Sequence, residues 1–409
     1  MKKYFNQFCS EPYRVLFPMA IGFGIFGVGL WFAYGLGFAP QLSKFFHSSI
    51  QAQAYMGCFI FGFLLTALPR FSSSQKTQPL ELIFCLTAFI TMVTFLLNQF
   101  WIGSSLCFLA LLLFFANFAA RRFFKKGQEK PMPPIEFIWI PIALVHGALG
   151  AIFVILDQLD LAPNILLSAA LPLIDQGFLF CIVLGVGGFL APRIMGLFEP
   201  AFNKIDLQQV KVTRKKKATL YVFLGAILLS SFFIEAAGNI WVSYLIRALV
   251  ITLVLIGTKA WPKPPKVKEQ YVFMVWVSFW MIFIGVWSLV LFPPLSTLLL
   301  HLVFIGGFSL MTFAVGTMVV LSHAGEVERL RKPLWILRIV NIGIALSLGF
   351  RFLADFHSEY FFRYLALSAS AWLIAAISWL LFILPLVVKI PADGAFDDAH
   401  ERAKKNIQP

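Results

Sequence analysis

The stretch GFLLTALPRF, residues 62–71, decides what class of fold this chain adopts. The residues before the proline suit the interior of a lipid bilayer, and the run then stops at Pro69, Arg70 and Phe71. A proline cannot continue the helical hydrogen-bond ladder, and an arginine at a helix end favours the cytoplasmic interface. The stretch therefore predicts a membrane-spanning helix that ends at the inner face of the membrane.

The composition of the whole chain points the same way. Of its 409 residues 60% are hydrophobic and only 13% are charged, whereas a soluble domain carries about a quarter charged residues. A water-soluble fold could not bury this much apolar surface. The N-terminal stretch MKKYFNQFCSEPYR is not expected to be a cleavable signal peptide, because no small-residue cleavage site follows the first apolar run. We therefore predict an all-α, polytopic membrane protein.

Apolar runs long enough to span a bilayer, roughly 20 residues each, give the predicted helices. We predict twelve spans, at 15–38, 50–68, 82–98, 100–118, 135–156, 164–191, 218–235, 237–257, 270–292, 296–321, 334–353 and 364–388. The weakest boundary lies at 98–100, where Asn98 and Gln99 are the only polar interruption.

The distribution of lysine and arginine predicts the orientation, because cytoplasmic loops carry an excess of both. With the N-terminus inside, 28 of the 33 basic residues fall on the cytoplasmic side. The opposite side holds Lys44, Arg351 and Arg363, while Arg247 and Arg338 lie within spans. Both termini are therefore expected in the cytoplasm. The net charge of +14 is explained by this topology, so it does not indicate binding to nucleic acid.

Three helix ends resemble one another, which suggests an internal repeat. GFLLTALPRF is matched by GVGGFLAPRIMGL, residues 185–197, and less closely by GTMVVLSHAG, residues 316–325. Each ends the second helix of a group of four. We predict one transmembrane domain over 1–409, with three four-helix blocks at 1–130, 131–265 and 266–390 and a cytoplasmic tail at 391–409. The alternative is that any helix ending inside collects proline and arginine.

Two histidines at the predicted outer face are candidate ligands of a metal or a haem. His47 stands just before the second span and His301 lies near the outer end of the tenth, so both lie at a similar depth. Neutral imidazole is a good ligand of haem iron and of copper. At helical spacing the two histidines lead to candidate pocket residues, which are Gln51, Tyr55, Ser309 and Thr312. The alternative is a pair of interfacial or hydrogen-bonded core histidines.

Other polar residues inside the spans are candidates for proton handling or charge pairing, because polar groups in a bilayer are expensive. His146 lies in the fifth span, Asp175 in the sixth and Arg247 in the eighth. Asp175 and Glu235 are the possible partners of Arg247. His323 cannot share one metal with His301, since they lie about 33 Å apart along a helix. The alternative functions are a secondary transporter that uses Asp175, Arg247 and His146, and a metal-free scaffold.

Two longer stretches resemble the NnrS family. HSSIQAQAYMGCFIFGFLLTALPRF, residues 47–71, is similar to its segment from a histidine motif into GFLLTAxPxW, and HLVFIGGFSLMTFAVGTMVVLSHAG, residues 301–325, to its second signature. The resemblance implies a haem- and copper-containing protein of the bacterial inner membrane, linked to the nitric oxide response. It makes His47, His301 and His323 the matching histidines.

The chain departs from the family pattern at one point. Ser49 and Ile50 stand where the family often shows His-Ala-His-Glu, which favours a single haem over haem plus copper. We therefore expect an NnrS-like protein that binds haem between the second and tenth spans. Its expected partner is nitric oxide or another small diatomic molecule. The resemblance leaves open whether the protein is an enzyme. A plan of twelve helices is also seen in haem–copper oxidases, but the histidine cluster for their copper is missing here.

Overall fold

The structure, a computed structural model, describes residues 2–39, 44–124, 133–161, 163–197, 207–259 and 261–389. These residues form helices and connecting turns, and none of them lies in a strand. Twelve helices are long and apolar enough to cross a membrane. The predicted all-α polytopic bundle is therefore confirmed. The predicted tail at 391–409 and the basic stretch at 125–130 lie outside the described residues.

We number the spanning helices α1 to α12 in chain order. They are α1 (Tyr13–Gly35), α2 (Phe45–Phe71), α3 (Pro79–Leu97), α4 (Trp101–Phe123), α5 (Ile135–Gln158), α6 (Asn164–Ile194), α7 (Val212–Ala236), α8 (Ile240–Gly257), α9 (Gln270–Leu291), α10 (Pro293–His323), α11 (Trp335–Phe356) and α12 (Ser358–Val387). Two short helices lie outside the spans, at Lys2–Ser10 and Val327–Leu330.

The weakest predicted boundary is real. Helix α3 ends at Leu97 and α4 begins at Trp101. Between them Gln99 adopts a positive φ of 56°, a left-handed conformation that an α-helix cannot contain. The Asn98 side chain donates a hydrogen bond to the Thr94 carbonyl, 2.8 Å away. Two polar residues are thus enough to reverse the chain between two apolar helices.

Helix α2 continues two residues beyond the proline that was expected to stop it. Pro69 lies inside the last turn of α2, which ends at Phe71. Because proline has no N–H, the carbonyl four residues earlier, that of Leu65, loses its helical partner. The Thr77 hydroxyl donates to this carbonyl over 2.7 Å. The loop after α2 therefore folds back and satisfies the helix end.

Helices α2, α6 and α10 form the centre of the bundle. In their most apolar windows 83%, 72% and 61% of the residues are buried, against 33–50% in the other nine spans. Side chains join all three: Ser48 of α2 donates to Asp175 of α6. Phe180 of α6 packs on Phe308 of α10 at 5.5 Å between ring centroids. The nine outer helices cover this centre.

The outer helices contact one another in a cyclic order. Helix α4 packs on α5, α8 packs on α9, and α12 packs on α1, so the last span closes on the first. Each of these contacts joins the last helix of one predicted block to the first helix of the next. The division into three blocks itself stays a prediction.

The central helices share one more feature. Among the spans as described, π-helical turns occur in α2 at Ile50–Met56, in α6 at Leu173–Phe178 and Val183–Gly187, and in α10 at Leu302–Ser309. A π turn contains an extra residue, so the side chains that follow it are rotated to a new face of the helix. Such turns are frequent at functional sites. The π turn of α2 begins three residues after His47, and that of α10 begins next to His301.

Candidate functional site

The predicted outer histidines lie on two of the three central helices. His47 is in the first turn of α2, and its Nδ1 atom is buried with no hydrogen-bond partner. The indole of Trp31, on α1, packs edge-on against its ring at 5.4 Å between centroids. In His301 the Nδ1 atom lies 2.6 Å from the Thr297 carbonyl. A carbonyl only accepts, so Nδ1 of His301 carries the proton and Nε2 keeps a free lone pair.

The two histidines share one cationic neighbour on a third helix, Arg351 of α11. His47 interacts electrostatically with His301, and Arg351 of α11 interacts with both. Arg351 is buried, and its Nη1 atom pairs with the Asp355 carboxylate at 2.9 Å. A planar guanidinium can hold a carboxylate with two parallel hydrogen bonds. The outer site therefore combines two imidazoles with one anion-binding group.

Below the histidines, α2 and α10 are in direct contact. The Tyr55 hydroxyl is buried close to the hydroxyls of Ser309 and Thr312, although it completes a hydrogen bond with neither. The Thr312 hydroxyl lies 3.7 Å from the sulfur of Met56. Three of the four predicted pocket residues are thus brought together, at the seam between the two helices.

The fourth predicted pocket residue, Gln51, faces a different helix. Its amide donates to the Gly24 carbonyl of α1 at 3.4 Å. A Cβ atom at Gly27 would lie only 2.4 Å from the Gln51 amide nitrogen, so the glycine lets the two helices approach. Further along α2, Cys58 bonds the Leu16 carbonyl at 3.4 Å. Gln51 and Cys58 therefore pack on α1, not on α10.

Asp175 contacts the first turn of α2 instead of pairing with Arg247. One carboxylate oxygen of Asp175 accepts a hydrogen bond from Ser48, the residue after His47, and the other is buried without a partner. Of the two carboxylates considered as partners of Arg247, Asp175 is therefore the wrong one. The sequence carried no signal for the Ser48 contact, because the π turns change which faces of α2 and α6 meet.

Arg247 belongs to a separate buried cluster between α6, α7 and α8. Its guanidinium pairs with Glu235, and it also donates to Ser231 Oγ and Gln176 Oε1, both at 3.0 Å. The Phe232 ring lies beneath the guanidinium at 3.9 Å. Arg247 is only 2% exposed. Glu235, the other carboxylate considered, is thus its partner.

His146 adjoins this cluster. Its Nδ1 atom lies 2.8 Å from the Ile142 carbonyl, its ring packs edge-on against Phe232 at 5.6 Å, and its Nε2 atom is buried with no partner. A Cβ atom on Gly177 would lie 2.4 Å from the His146 ring. The close approach of α5 and α6 thus places an unpaired imidazole nitrogen beside a buried charge pair.

His323 lies at the other end of α10, in a cluster of charged groups. Its Nδ1 atom is 3.0 Å from Glu11 Oε1, and its Nε2 atom contacts the Arg70 guanidinium. Arg70 also donates to Glu11 at 2.8 Å, as does Arg14 at 2.6 Å. Both ring nitrogens of His323 therefore have protein partners, and a metal here would have to displace one of them.

The charge cluster perturbs Glu11 strongly. Burial of the Glu11 carboxyl favours its neutral form, but this effect is outweighed by the hydrogen bond and charge of His323 and by the charge of Arg14. These groups hold the pKa of the Glu11 carboxyl well below its usual range. Glu11 is therefore a buried anion that ties the N-terminal segment to the ends of α2 and α10.

The described part of the chain contains no cluster of side chains that could bind a metal ion by themselves. There, no group of three or more His, Cys, Asp or Glu residues could hold a metal ion. A haem has a lower demand, because its iron needs only one or two axial side chains. The pair His47 and His301 meets that demand.

Comparisons with known proteins agree with the resemblance. A family model described as "NnrS protein" matches residues 7–390. A search of the curated proteins finds no match to the chain.

Proposed function

The chain belongs to the NnrS family, and from this premise we propose that it binds haem between α2 and α10, with His47 and His301 as axial ligands. The observation that carries the proposal is the placement of these two imidazoles on adjoining central helices, close enough to interact electrostatically. Each has one ring nitrogen that makes no hydrogen bond to the described part of the protein. These atoms are Nδ1 of His47 and Nε2 of His301. Ligation would satisfy both.

The surrounding residues suit a haem. Arg351, buried beside both histidines, would exchange Asp355 for a haem propionate, which is also a carboxylate. Tyr55, Ser309 and Thr312 would form the wall below the ring, where the unpaired Tyr55 hydroxyl would donate to a bound ligand. Gln51 would not contact the haem; its hydrogen bond to α1 would hold α1 against α2.

The family suggests the biological role. We place the protein in the inner membrane of a bacterium with both termini in the cytoplasm, where it would handle nitric oxide or protect against nitrosative stress. Held by these residues, haem would supply an iron to which nitric oxide can bind. A firm pair of histidine ligands would favour sensing or electron transfer over turnover. A copper ion, which the resemblance also implies, would need ligands besides His47, since Ser49 and Ile50 offer no imidazole.

The test is the absorption spectrum of the detergent-purified protein, oxidised and dithionite-reduced, after expression with ample haem. We expect a Soret band that is shifted or lost in His47→Ala and in His301→Ala. The exposed His357→Ala variant is the matched control, and its spectrum should equal that of the wild type. A colourless wild type would refute the proposal.

A colourless protein would favour the second candidate function, a secondary transporter. The supporting observation is the buried cluster of Arg247, Glu235 and Gln176 beside the unpaired Nε2 atom of His146. Ionisable groups inside a membrane often mark ion or proton pathways. In that case His146→Ala, and not His301→Ala, should abolish proton-coupled uptake into vesicles.

A further inference from the structure

The basic run at the start of α7 is divided between two faces of one helix. Arg214 donates to the Pro133 carbonyl, and Lys217 pairs with Glu136 at 2.9 Å and lies over the Tyr221 ring. These groups are directed at α5 and its leading segment. Lys215 and Lys216, between them in sequence, are both exposed. The protein therefore uses half of the run internally and presents the other half outward.

The outward face is amphipathic in the order that a phospholipid requires. At 100° per residue, six residues of α7 share one face about 140° wide and surround a shallow, open depression, namely Val212, Lys215, Lys216, Thr219, Leu220 and Phe223. After Val212 come the two lysines and the threonine, and the apolar Leu220 and Phe223, 51% and 61% exposed, follow. A cationic level thus adjoins an apolar one.

The position of the lysines along the helix matches the membrane interface. The apolar part of α7, from Ala218 to Ala236, is about 28 Å long at 1.5 Å per residue. This is close to the thickness of a hydrocarbon core, about 30 Å. Lys215 and Lys216 therefore lie at the level of the headgroups, with Leu220 and Phe223 among the acyl chains. Basic residues at this level attract anionic lipids.

We propose that this face of α7 is a binding site for one anionic phospholipid. The Lys215 and Lys216 ammonium groups bind the headgroup phosphate, and Leu220 and Phe223 pack against the first methylenes of an acyl chain. The site is independent of haem and lies on a different helix from both outer histidines. It makes the protein selective for an anionic lipid over a zwitterionic one of the same chain length.

The test uses the full-length protein and counts lipids bound after titration with phosphatidylglycerol or phosphatidylcholine, by native mass spectrometry. In Lys215→Gln/Lys216→Gln we expect phosphatidylglycerol to bind roughly tenfold to thirtyfold more weakly, given the attraction of each surface lysine. Binding of phosphatidylcholine should not change. Both lysines are exposed, so the variant should elute as the wild type does in size-exclusion chromatography.

The matched control removes two charges elsewhere. Lys263 and Lys268 are exposed in the loop before α9, on the same predicted side of the membrane, and Lys263→Gln/Lys268→Gln should leave phosphatidylglycerol binding unchanged. Equal losses in both double variants would overturn the site in favour of a general charge effect. Release of the lipid by millimolar inorganic phosphate would overturn it in favour of a simple anion site. Phe223→Ala should weaken the binding of both phosphatidylglycerol and phosphatidylcholine, because it removes only the contact with an acyl chain.

Discussion

Glu11 and His323 are hydrogen-bonded across 312 residues of sequence, with 3.0 Å between Oε1 and Nδ1. Arg70 contacts both of them, so the matching ends of α2 and α10 meet at one carboxylate. The two helices that carry the outer histidines are therefore fixed to each other at the opposite end as well. If the distance between α2 and α10 changes at the histidines, the helices must bend between the histidines and the Glu11 cluster.

The buried anion at Glu11 makes the stability depend on pH. Its pKa is lowered in the folded protein, so its contribution is present above its unfolded pKa of about 4.3 and is lost as the pH falls toward the folded value. We expect Glu11→Gln to lower the free energy of unfolding at pH 7 by about 3 kcal/mol, because it breaks a buried ion cluster. Thermal unfolding followed by circular dichroism from about pH 7 down to about pH 3 measures the onset of this loss, which begins near the unfolded pKa.

The control for this experiment is Glu359→Gln, since Glu359 is exposed at the other end of the bundle. It should unfold like the wild type at every pH. If the wild type and Glu11→Gln lost stability in parallel on acidification, Glu11 would not be the group responsible.

Arg351 is expected to retain haem. Replacement by Gln removes a charge-assisted bond to a propionate, worth about 1.5–3 kcal/mol, so haem should leave roughly ten to a hundred times faster. The rate is measured by transfer to an excess of apomyoglobin. The position of the Soret band should stay, because Arg351 does not ligate the iron. Arg363→Gln, which removes an exposed charge at the same predicted face, should lose haem at the wild-type rate.

Gly316 sets the distance between α2, α10 and α12. A Cβ atom there would lie 2.8 Å from Phe59 and 2.8 Å from Trp379, so Gly316→Val must push the helices apart. Overpacking of this kind costs about 1–3 kcal/mol, and haem content should fall with it. Gly22→Val, where a Cβ atom meets nothing within 4 Å, is the comparison. Equal haem content in both variants would show that the α2–α10 contact does not matter for binding.

The Arg247–Glu235 pair tests the second cluster. Glu235→Gln leaves the buried Arg247 without its counter-charge, which should cost about 3–5 kcal/mol of stability. Arg247→Met with Glu235→Gln removes both charges and should recover part of that loss, as measured by thermal unfolding. A double variant less stable than Glu235→Gln alone would mean that Arg247 is held by Gln176 and Ser231 and not by the charge pair.

Hydropathy was sufficient for the twelve spans, because a bilayer forces every spanning segment to be apolar and about 20 residues long. Even the break at Asn98 and Gln99 could be predicted from two polar residues. The placement of His47 and His301 toward the same end of their helices also followed from span boundaries alone, but the contact between α2 and α10 did not.

Contacts between helices could not be predicted in the same way. Asp175 has the depth of a partner for Arg247, yet a π turn in α6 directs it to Ser48, while the neighbouring Gln176 reaches Arg247. Arg351 was counted as an outer-face charge, since sequence alone does not show that the end of α11 is buried. Rotation about a helix axis depends on packing with neighbours, and a single sequence carries little information on it.

The hold of Arg14 on the far end of the chain has a consequence for biosynthesis. Its guanidinium donates to the carbonyls of Val387 and Lys389 at 2.7 and 2.9 Å, just where α12 leaves the membrane. During translation Arg14 is inserted with the first span. Its hydrogen bonds to the end of α12 cannot form until the twelfth span has emerged from the ribosome. Closure of the ring is therefore a late event in biosynthesis, and a protein terminated before residue 387 would lack both carbonyls that Arg14 binds.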